Sequence, residues 1–201
     1  MLTASLYRTL LQKQPDLKWL NFESLWREMF PDLTVEQTYF FTARVHALPT
    51  DKGAPIRQQN YVDALKSTPS VEVVWGNFSE DTVVARPISG SIRDRIEVHR
   101  NREKGSDVNL ASYLLRDVYE RAIEIALVVT NDSDLRAPVE FARATGVHVI
   151  ICSPTARPSS VLVKAANEQY VLASKWVTAA QFPTDVPFGG GRTTRRPHEW
   201  R

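Results

Sequence analysis

Ile125-Ala126-Leu127-Val128-Val129-Thr130-Asn131-Asp132-Ser133-Asp134 is the stretch on which the fold turns. Its apolar part is short and unbroken, then gives way to polar residues, as in a strand buried on both faces of a parallel sheet. Upstream, Ser106 or Asp107 caps a helix in which Val108, Ala111, Leu115, Val118 and Ala122 recur at helical spacing. Downstream, Pro138 must sit in a first helical turn, so the next helix begins near Leu135, and Gly146 marks its end. Val147 to Cys152 is a second buried strand. Helix, strand, helix, strand is the pattern of right-handed crossovers onto a parallel sheet. The expected fold class is α/β, a three-layer sandwich with a central, mostly parallel sheet.

The same reading extends outward. Leu2 to Leu11 and Phe22 to Phe30 read as helices, the second capped by Asn21 and carrying Phe22, Leu25, Trp26, Met29 and Phe30 on one face. Val35 to Val45 reads as a strand, Pro55 to Leu65 as a helix stopped by Pro69, and Val71 to Phe78 as a strand. Val83 to Val98 offers two short strands about the turn Ser89-Gly90-Ser91. Ser159 to Ala166 and Ala173 to Gln181 read as late helices around a brief strand, Tyr170-Val171-Leu172. Residues 1–182 make one domain. Residues 183–201, with Gly189-Gly190-Gly191 and Arg192, Arg195, Arg196 and Arg201, read as a flexible basic tail.

Composition bounds the function. With 201 residues, 43% hydrophobic and 24% charged, the chain can bury a sizeable core. No apolar run approaches the roughly 18 residues that cross a bilayer, and the first residues lack a secretory pattern, so the expectation is a cytoplasmic protein without a membrane partner. One cysteine, Cys152, rules out an internal disulfide and reads as a small core residue. His46, His99, His148 and His198 show no zinc spacing. Neither nucleotide-binding glycine pattern occurs. A net charge of +2 is too mild to demand a nucleic acid.

The chemistry gathers at the carboxyl end of the first-quoted strand, where ligands collect in open α/β sheets. Asp132 and Asp134 are two apart in extended backbone and can point to one place, which calls for a cation or a proton between them. Magnesium or manganese suits such a site, taking a few carboxylates and filling up with water and phosphate. Asp107 would be the third carboxylate if its helix end reaches the same rim. Asp107 and Asp134 also read simply as helix caps.

The run Glu103-Lys104-Gly105-Ser106-Asp107-Val108-Asn109-Leu110, followed by Leu127 to Leu135 and then Gly146, resembles the signature of the NYN-domain family within the PIN-like nucleases. Thr42-Ala43-Arg44-Val45, Pro55 to Tyr61 with Arg57-Gln58-Gln59, and Gln181-Phe182-Pro183 resemble a prokaryotic branch of it. The similarity runs from about Ser5 to Pro183. It implies a PIN-like, Rossmann-like sheet, a metal-dependent ribonuclease, and Asp107, Asp132 and Asp134 as catalytic metal ligands for Mg2+ or Mn2+. Within that expectation Lys104 neutralises a phosphate, Asn131 and Ser133 orient water or substrate, and Arg57 is a more distant substrate-binding candidate. Tyr61, Trp75 and Phe78 either stack on bases or pack the core. The partner is RNA, single-stranded or a small structured one, and a homo-oligomer stays open.

Family members begin with an apolar strand ending in Asp-Gly-x-Asn-Leu, whereas this chain opens Met1-Leu2-Thr3-Ala4-Ser5-Leu6-Tyr7. Aligned so that Leu6-Tyr7 follow the motif, the acidic position falls near Leu2, and the first strand with its aspartate is missing. Two expectations follow: a start upstream of Met1, or a reduced copy with a weakened site. The second makes the protein an RNA-binding or partner-binding module without turnover. A sugar-nucleotide transferase holding a diphosphate through Asp132 and Asp134 is a third reading, and it leaves the Asp107 motif without a role.

Overall fold

Val128 and Val129 are both fully buried, yet they enter different apolar layers. A strand turns alternate residues to opposite faces, and every parallel strand here obeys the same parity. Phe40, Val71, Val73, Leu127, Val129 and Cys152 enter one layer. Tyr39, Phe41, Val74, Ala126, Val128, Val149 and Ile151 enter the other. The computed structural model describes Leu6 and residues 14–47, 49–85 and 95–200, with the stretches 78–81 and 99–104 described by backbone alone.

The strands are β1 (Thr38–Ala43), β2 (Val71–Ala85), β3 (Ile96–Lys104), β4 (Ile125–Val129), β5 (His148–Ser153) and β6 (Glu168–Val171). β1 and β2 pair in parallel from Thr38 opposite Val71 to Ala43 opposite Gly76. β4, β5 and β6 pair in parallel in that order. Helices α1 (Phe22–Met29) and α2 (Ala54–Leu65) cover the first layer, and α3 (Ser106–Tyr119), α4 (Arg136–Ala144) and α5 (Ser160–Ala165) cover the second. A sixth helix, α6 (Ser174–Ala179), returns to the first layer through Val177. The three-layer α/β sandwich expected from the sequence is what forms.

Local chemistry explains most of these elements. The Asn21 side chain accepts from the Ser24 backbone N–H at 3.2 Å, capping α1 as expected. Pro55 sits in the first turn of α2. Gly146 ends α4 at φ +97°, a conformation costly for any residue with a Cβ. Cys152 is fully buried, and burial pushes its thiol up to about 12. The proposed helix over Leu2 to Leu11 lies outside the described residues, apart from a buried Leu6.

Three expectations are corrected. The hairpin is far longer than two short strands: β2 runs unbroken to Ala85 and β3 runs from Ile96 to Lys104, antiparallel to it; the turn Ser89-Gly90-Ser91 lies outside the described residues. In α3 the buried residues are Ser106, Leu110, Leu114 and Asp117, while Val108, Leu115 and Tyr119 face out. That helix carries two apolar series, and contact with Tyr39 and Phe41 selects the one containing Tyr113 and Leu114.

The third correction concerns residues 183–201. They are folded through Trp200: β7 (Asp185–Phe188) and β8 (Arg192–Arg195) form a hairpin, and a 3-10 turn spans His198–Trp200. Gly190 and Gly191 take φ of +73° and +72° in its turn, so glycine serves geometry there rather than flexibility. Val186 and Trp200 enter the first apolar layer, with the Trp200 and Trp19 rings 6.2 Å apart. Arg195 is matched to Asp185 at 2.7 Å, and Glu199 of this segment pairs with Arg57 of α2 at 3.2 Å. Trp200→Ala is therefore expected to lower unfolding free energy by about 3 kcal/mol, read from urea denaturation; a change under about 1 kcal/mol contradicts this packing.

Candidate functional site

Asp107 opens α3, and the direction of that helix decides where Asp107 lies. Arg116, near the end of α3, donates to the Tyr39 hydroxyl at 2.8 Å, and Tyr113 packs edge-on against Tyr39 and Phe41. Tyr39 is near the start of β1, so α3 runs antiparallel to β1 and begins at the carboxyl end of that strand. The β2–β3 hairpin makes this possible by carrying the chain out and back to Lys104, opposite Asn77. Gly105 then turns the chain at φ +96°, where a Cβ would sit 4.0 Å from the Gly76 Cα. Gly76 pairs with Ala43, the last residue of β1.

From the far end of α3, residues 120–124 lead into β4, which runs back toward the starting rim and ends at Val129. Thr130 stays in the sheet, donating to the Cys152 carbonyl at 3.2 Å, and Asn131-Asp132-Ser133-Asp134 follow at the carboxyl rim. Asp107 thus stands at the carboxyl end of β1, and Asp132 and Asp134 just past the carboxyl end of β4. Asp107 and Asp134 are exposed and Asp132 is half-buried. Carboxylate oxygens are the donors that magnesium and manganese take. Among the described residues, however, no three acidic, histidine or cysteine side chains gather about one point in the way a metal ion would require.

The rim's polar residues are already engaged. Asp132 accepts from the Asp134 backbone N–H at 3.0 Å, capping the 3-10 turn Ser133–Leu135, while its own N–H donates to the Thr130 hydroxyl at 3.1 Å. Asn131 is a knot between loops. Its Nδ2 donates to the Thr155 hydroxyl at 3.1 Å and the Arg157 carbonyl at 3.3 Å, and its Oδ1 accepts from the Ser153 hydroxyl at 3.3 Å and the Ser159 N–H at 2.6 Å. Those bonds tie the end of β4 to the end of β5. Ser133 is exposed at the head of its turn. The Lys104 backbone ends β3, and its side chain lies outside the description.

Arg57 stands in the first turns of α2, which also starts at the carboxyl rim because its neighbour Gln58 donates to the Ala43 carbonyl at 2.8 Å and accepts from the Val45 N–H at 2.9 Å. Its guanidinium donates to Asp51 at 2.6 Å and to Glu199 at 3.2 Å. The Arg57 hydrogen bond holds the Asp51 carboxyl below the usual carboxylate range.

Sequence reasoning missed a second cation here. The Arg44 guanidinium, just past the end of β1, lies 4.5 Å from the ring centroid of Trp75 on β2, with Trp75 half-buried. Trp75 reads from the sequence as a stacking or core residue, and its pairing with Thr42 in the parallel register is what brings Arg44 beside it. Tyr61 is buried, donating to the Leu20 carbonyl at 2.9 Å, and belongs to the core.

Known proteins resemble this chain in three ways. The family described as the NYN domain matches residues 17–173. A protein of Pseudomonas putida (strain DSM 28022 / S16), 6-hydroxy-3-succinoylpyridine 3-monooxygenase HspA, is 24% identical over 181 residues; the match takes in 80% of this chain and 56% of the relative, so the chain spans about half the relative's length. The crystal structure of a protein of unknown function from Vibrio parahaemolyticus RIMD 2210633 aligns over 86% of this chain and 90% of its own, at 11% identity and a TM-score of 0.49.

Two outcomes check the rim. Asn131→Ala strands the Ser159 N–H and is expected to cost about 1 to 3 kcal/mol of stability, with faster amide exchange across residues 153–159. Because the folded Asp51 carboxyl titrates below its unfolded value, its pairing with Arg57 stabilises above about pH 4 and is lost as pH falls through the folded value. Arg57→Leu should flatten the acid limb of the stability profile; an identical limb in both proteins excludes the pairing.

Proposed function

Because the chain belongs to the NYN domain family of PIN-like nucleases, we propose that it is a divalent-metal-dependent ribonuclease acting on cytoplasmic RNA. What supports this reading is that Asp107 opens α3 at the carboxyl end of β1 while Asp132 and Asp134 follow the carboxyl end of β4, the places where ligands collect in such folds. These three carboxylates would hold the ion. When bound, a divalent ion lowers the pKa of water and offsets charge on the transferring phosphoryl group.

The chain's own residues supply position and charge. Water adds to phosphorus, one phosphorus–oxygen ester bond breaks, and the leaving oxygen takes up a proton, so no side-chain nucleophile is consumed. Asn131 fixes the loop that presents Asp132, and Thr130 sets the backbone before it. Lys104, beside Gly105 and Asp107 in sequence, is the cation assigned to a substrate phosphate. Ser133 lies next to both acidic positions and is assigned to water or the ribose. Arg57 is held by Asp51 and Glu199 and acts on substrate only if that pairing opens.

One observation favours a second reading, an RNA-binding or partner-binding module without turnover: the described acidic side chains form no three-membered cluster. Cleavage of a labelled single-stranded RNA under saturating manganese separates the two. The nuclease reading expects Asp132→Asn to lower the rate about a hundredfold or more with the fold intact. Binding without cleavage in the wild type supports the module. Turnover of 6-hydroxy-3-succinoylpyridine, the compound in the Pseudomonas relative's name, would overturn both.

A further inference from the structure

The loop after β5, Ser153-Pro154-Thr155-Ala156-Arg157-Pro158-Ser159, has no regular structure, yet its backbone is tied at nearly every step. The Ser153 hydroxyl donates to the Thr155 carbonyl at 3.0 Å and accepts from the Thr155 N–H at 3.2 Å. The Arg157 carbonyl accepts twice, from the Thr155 hydroxyl at 2.9 Å and from Asn131 Nδ2 at 3.3 Å. Asn131 Oδ1 then takes the Ser159 N–H at 2.6 Å. Pro154 is buried, and Pro158 disfavours helical backbone at the residue before it. The backbone of Arg157 is therefore held on both sides, and one of its holders, Asn131, is the residue that precedes Asp132.

The Arg157 side chain is left free. It is exposed, and among the described residues its guanidinium has no carboxylate, carbonyl or ring partner. Other arginines near the strand ends are committed: Arg57 to Asp51 and Glu199, Arg44 to the Trp75 ring, and Arg136 to Glu140 at 2.8 Å. A guanidinium presents parallel N–H donors that match two oxygens of one phosphate. Asp132 and Asp134 repel a bare polyanion, so a phosphate chain that comes to the end of β4 needs a positive group beside the carboxylates as well as an ion between them. Arg157 is placed to be that group, because its carbonyl is bonded to the neighbour of Asp132. It makes no ion pair with either aspartate, which puts it beside the ion's position and not on it.

We propose that Arg157 is a phosphate-binding residue of the substrate site, its guanidinium taking a phosphate of the bound RNA that flanks the one held at the aspartates. Asn131 and Thr155 set the spacing by fixing the Arg157 carbonyl. The choice of RNA rests on the ribonuclease reading; the grip itself needs no turnover.

Fluorescence anisotropy of a labelled oligouridylate of roughly a dozen nucleotides, with the full chain in EDTA across a potassium chloride series, reads the grip without cleavage. Arg157→Gln should weaken binding about tenfold at low salt and shrink the slope of log affinity against log salt by about 0.7, the share of one phosphate on a single strand. Arg157→Lys should keep the slope and lose part of the affinity, since it retains the charge and gives up the paired donors. Arg121→Gln, just past the far end of α3, should change neither. The thermal midpoint of Arg157→Gln should match the wild type, because the altered side chain is exposed and unpartnered. In manganese, Arg157→Gln should raise KM for RNA cleavage and keep kcat. An unchanged slope in Arg157→Gln, an equal loss from Arg121→Gln, or a binding loss that follows a lowered midpoint in both Arg157 variants each overturns the assignment, even where the wild type cleaves RNA. Wild-type protein that binds with the Arg157-dependent slope but does not cleave under manganese supports the assignment while removing the nuclease reading.

Discussion

Burying both faces of β4 and β5 is the constraint from which the architecture follows. Val128 and Ile151 need cover on one side, Val129 and Cys152 on the other, and none of them can be given to water without losing about 1 to 3 kcal/mol of hydrophobic stabilisation. Each connection between parallel strands therefore passes through a helix, and each helix must start where a strand ends. α2, α3 and the turn ahead of α4 each begin at a strand's carboxyl end for that reason. The placing of Asp107 at the head of α3, and of Asp132 and Asp134 after β4, is a by-product of covering a sheet on two sides.

One left-handed glycine and a layer of tied loops then fix the rim. Gly105 lets the chain leave the hairpin and enter α3 close to Gly76, in a conformation where a side chain would be strained. Asn131 binds the ends of β4 and β5 together, and Gln58 binds the end of β1 to α2. The rim is stiffened by its amide side chains, with Asp132 held to the turn that follows it.

The sequence disclosed the parallel half of the molecule because its signals are local: an apolar run, a proline in a first turn, a glycine at a helix end. It did not disclose which side of α3 is buried, since Val108 with Leu115 and Leu110 with Leu114 are both apolar series, and only the rings of Tyr39 and Phe41 decide between them. The end of the chain was misread because a tally of glycine and arginine omits partners far along the chain, Asp16 for Arg196 and Arg57 for Glu199. At the site, the three aspartates were legible as types and positions. The place of Asp107 at the carboxyl end of β1 was not, because it depends on a hairpin that sends the chain out and returns it to its point of departure. The roles of Asn131 as a loop tie and of Arg44 as the partner of Trp75 needed register and distance, which no residue pattern contains.

The two apolar layers differ in how far along the chain they reach, and this bears on the order of assembly. Most of the layer under α3, α4 and α5 is drawn from residues 110–166, so its loops are short and its entropy of closure small. The layer on the other side joins Leu17, Trp19 and Leu20 to Phe182, Val186 and Trp200, and Trp19 donates to the Pro183 carbonyl at 2.7 Å. Contacts of that separation form slowly, because the whole intervening chain must first be compacted. Asp132 and Asp134 follow a strand that enters both layers, Val128 the shorter-range one and Val129 the longer-range one.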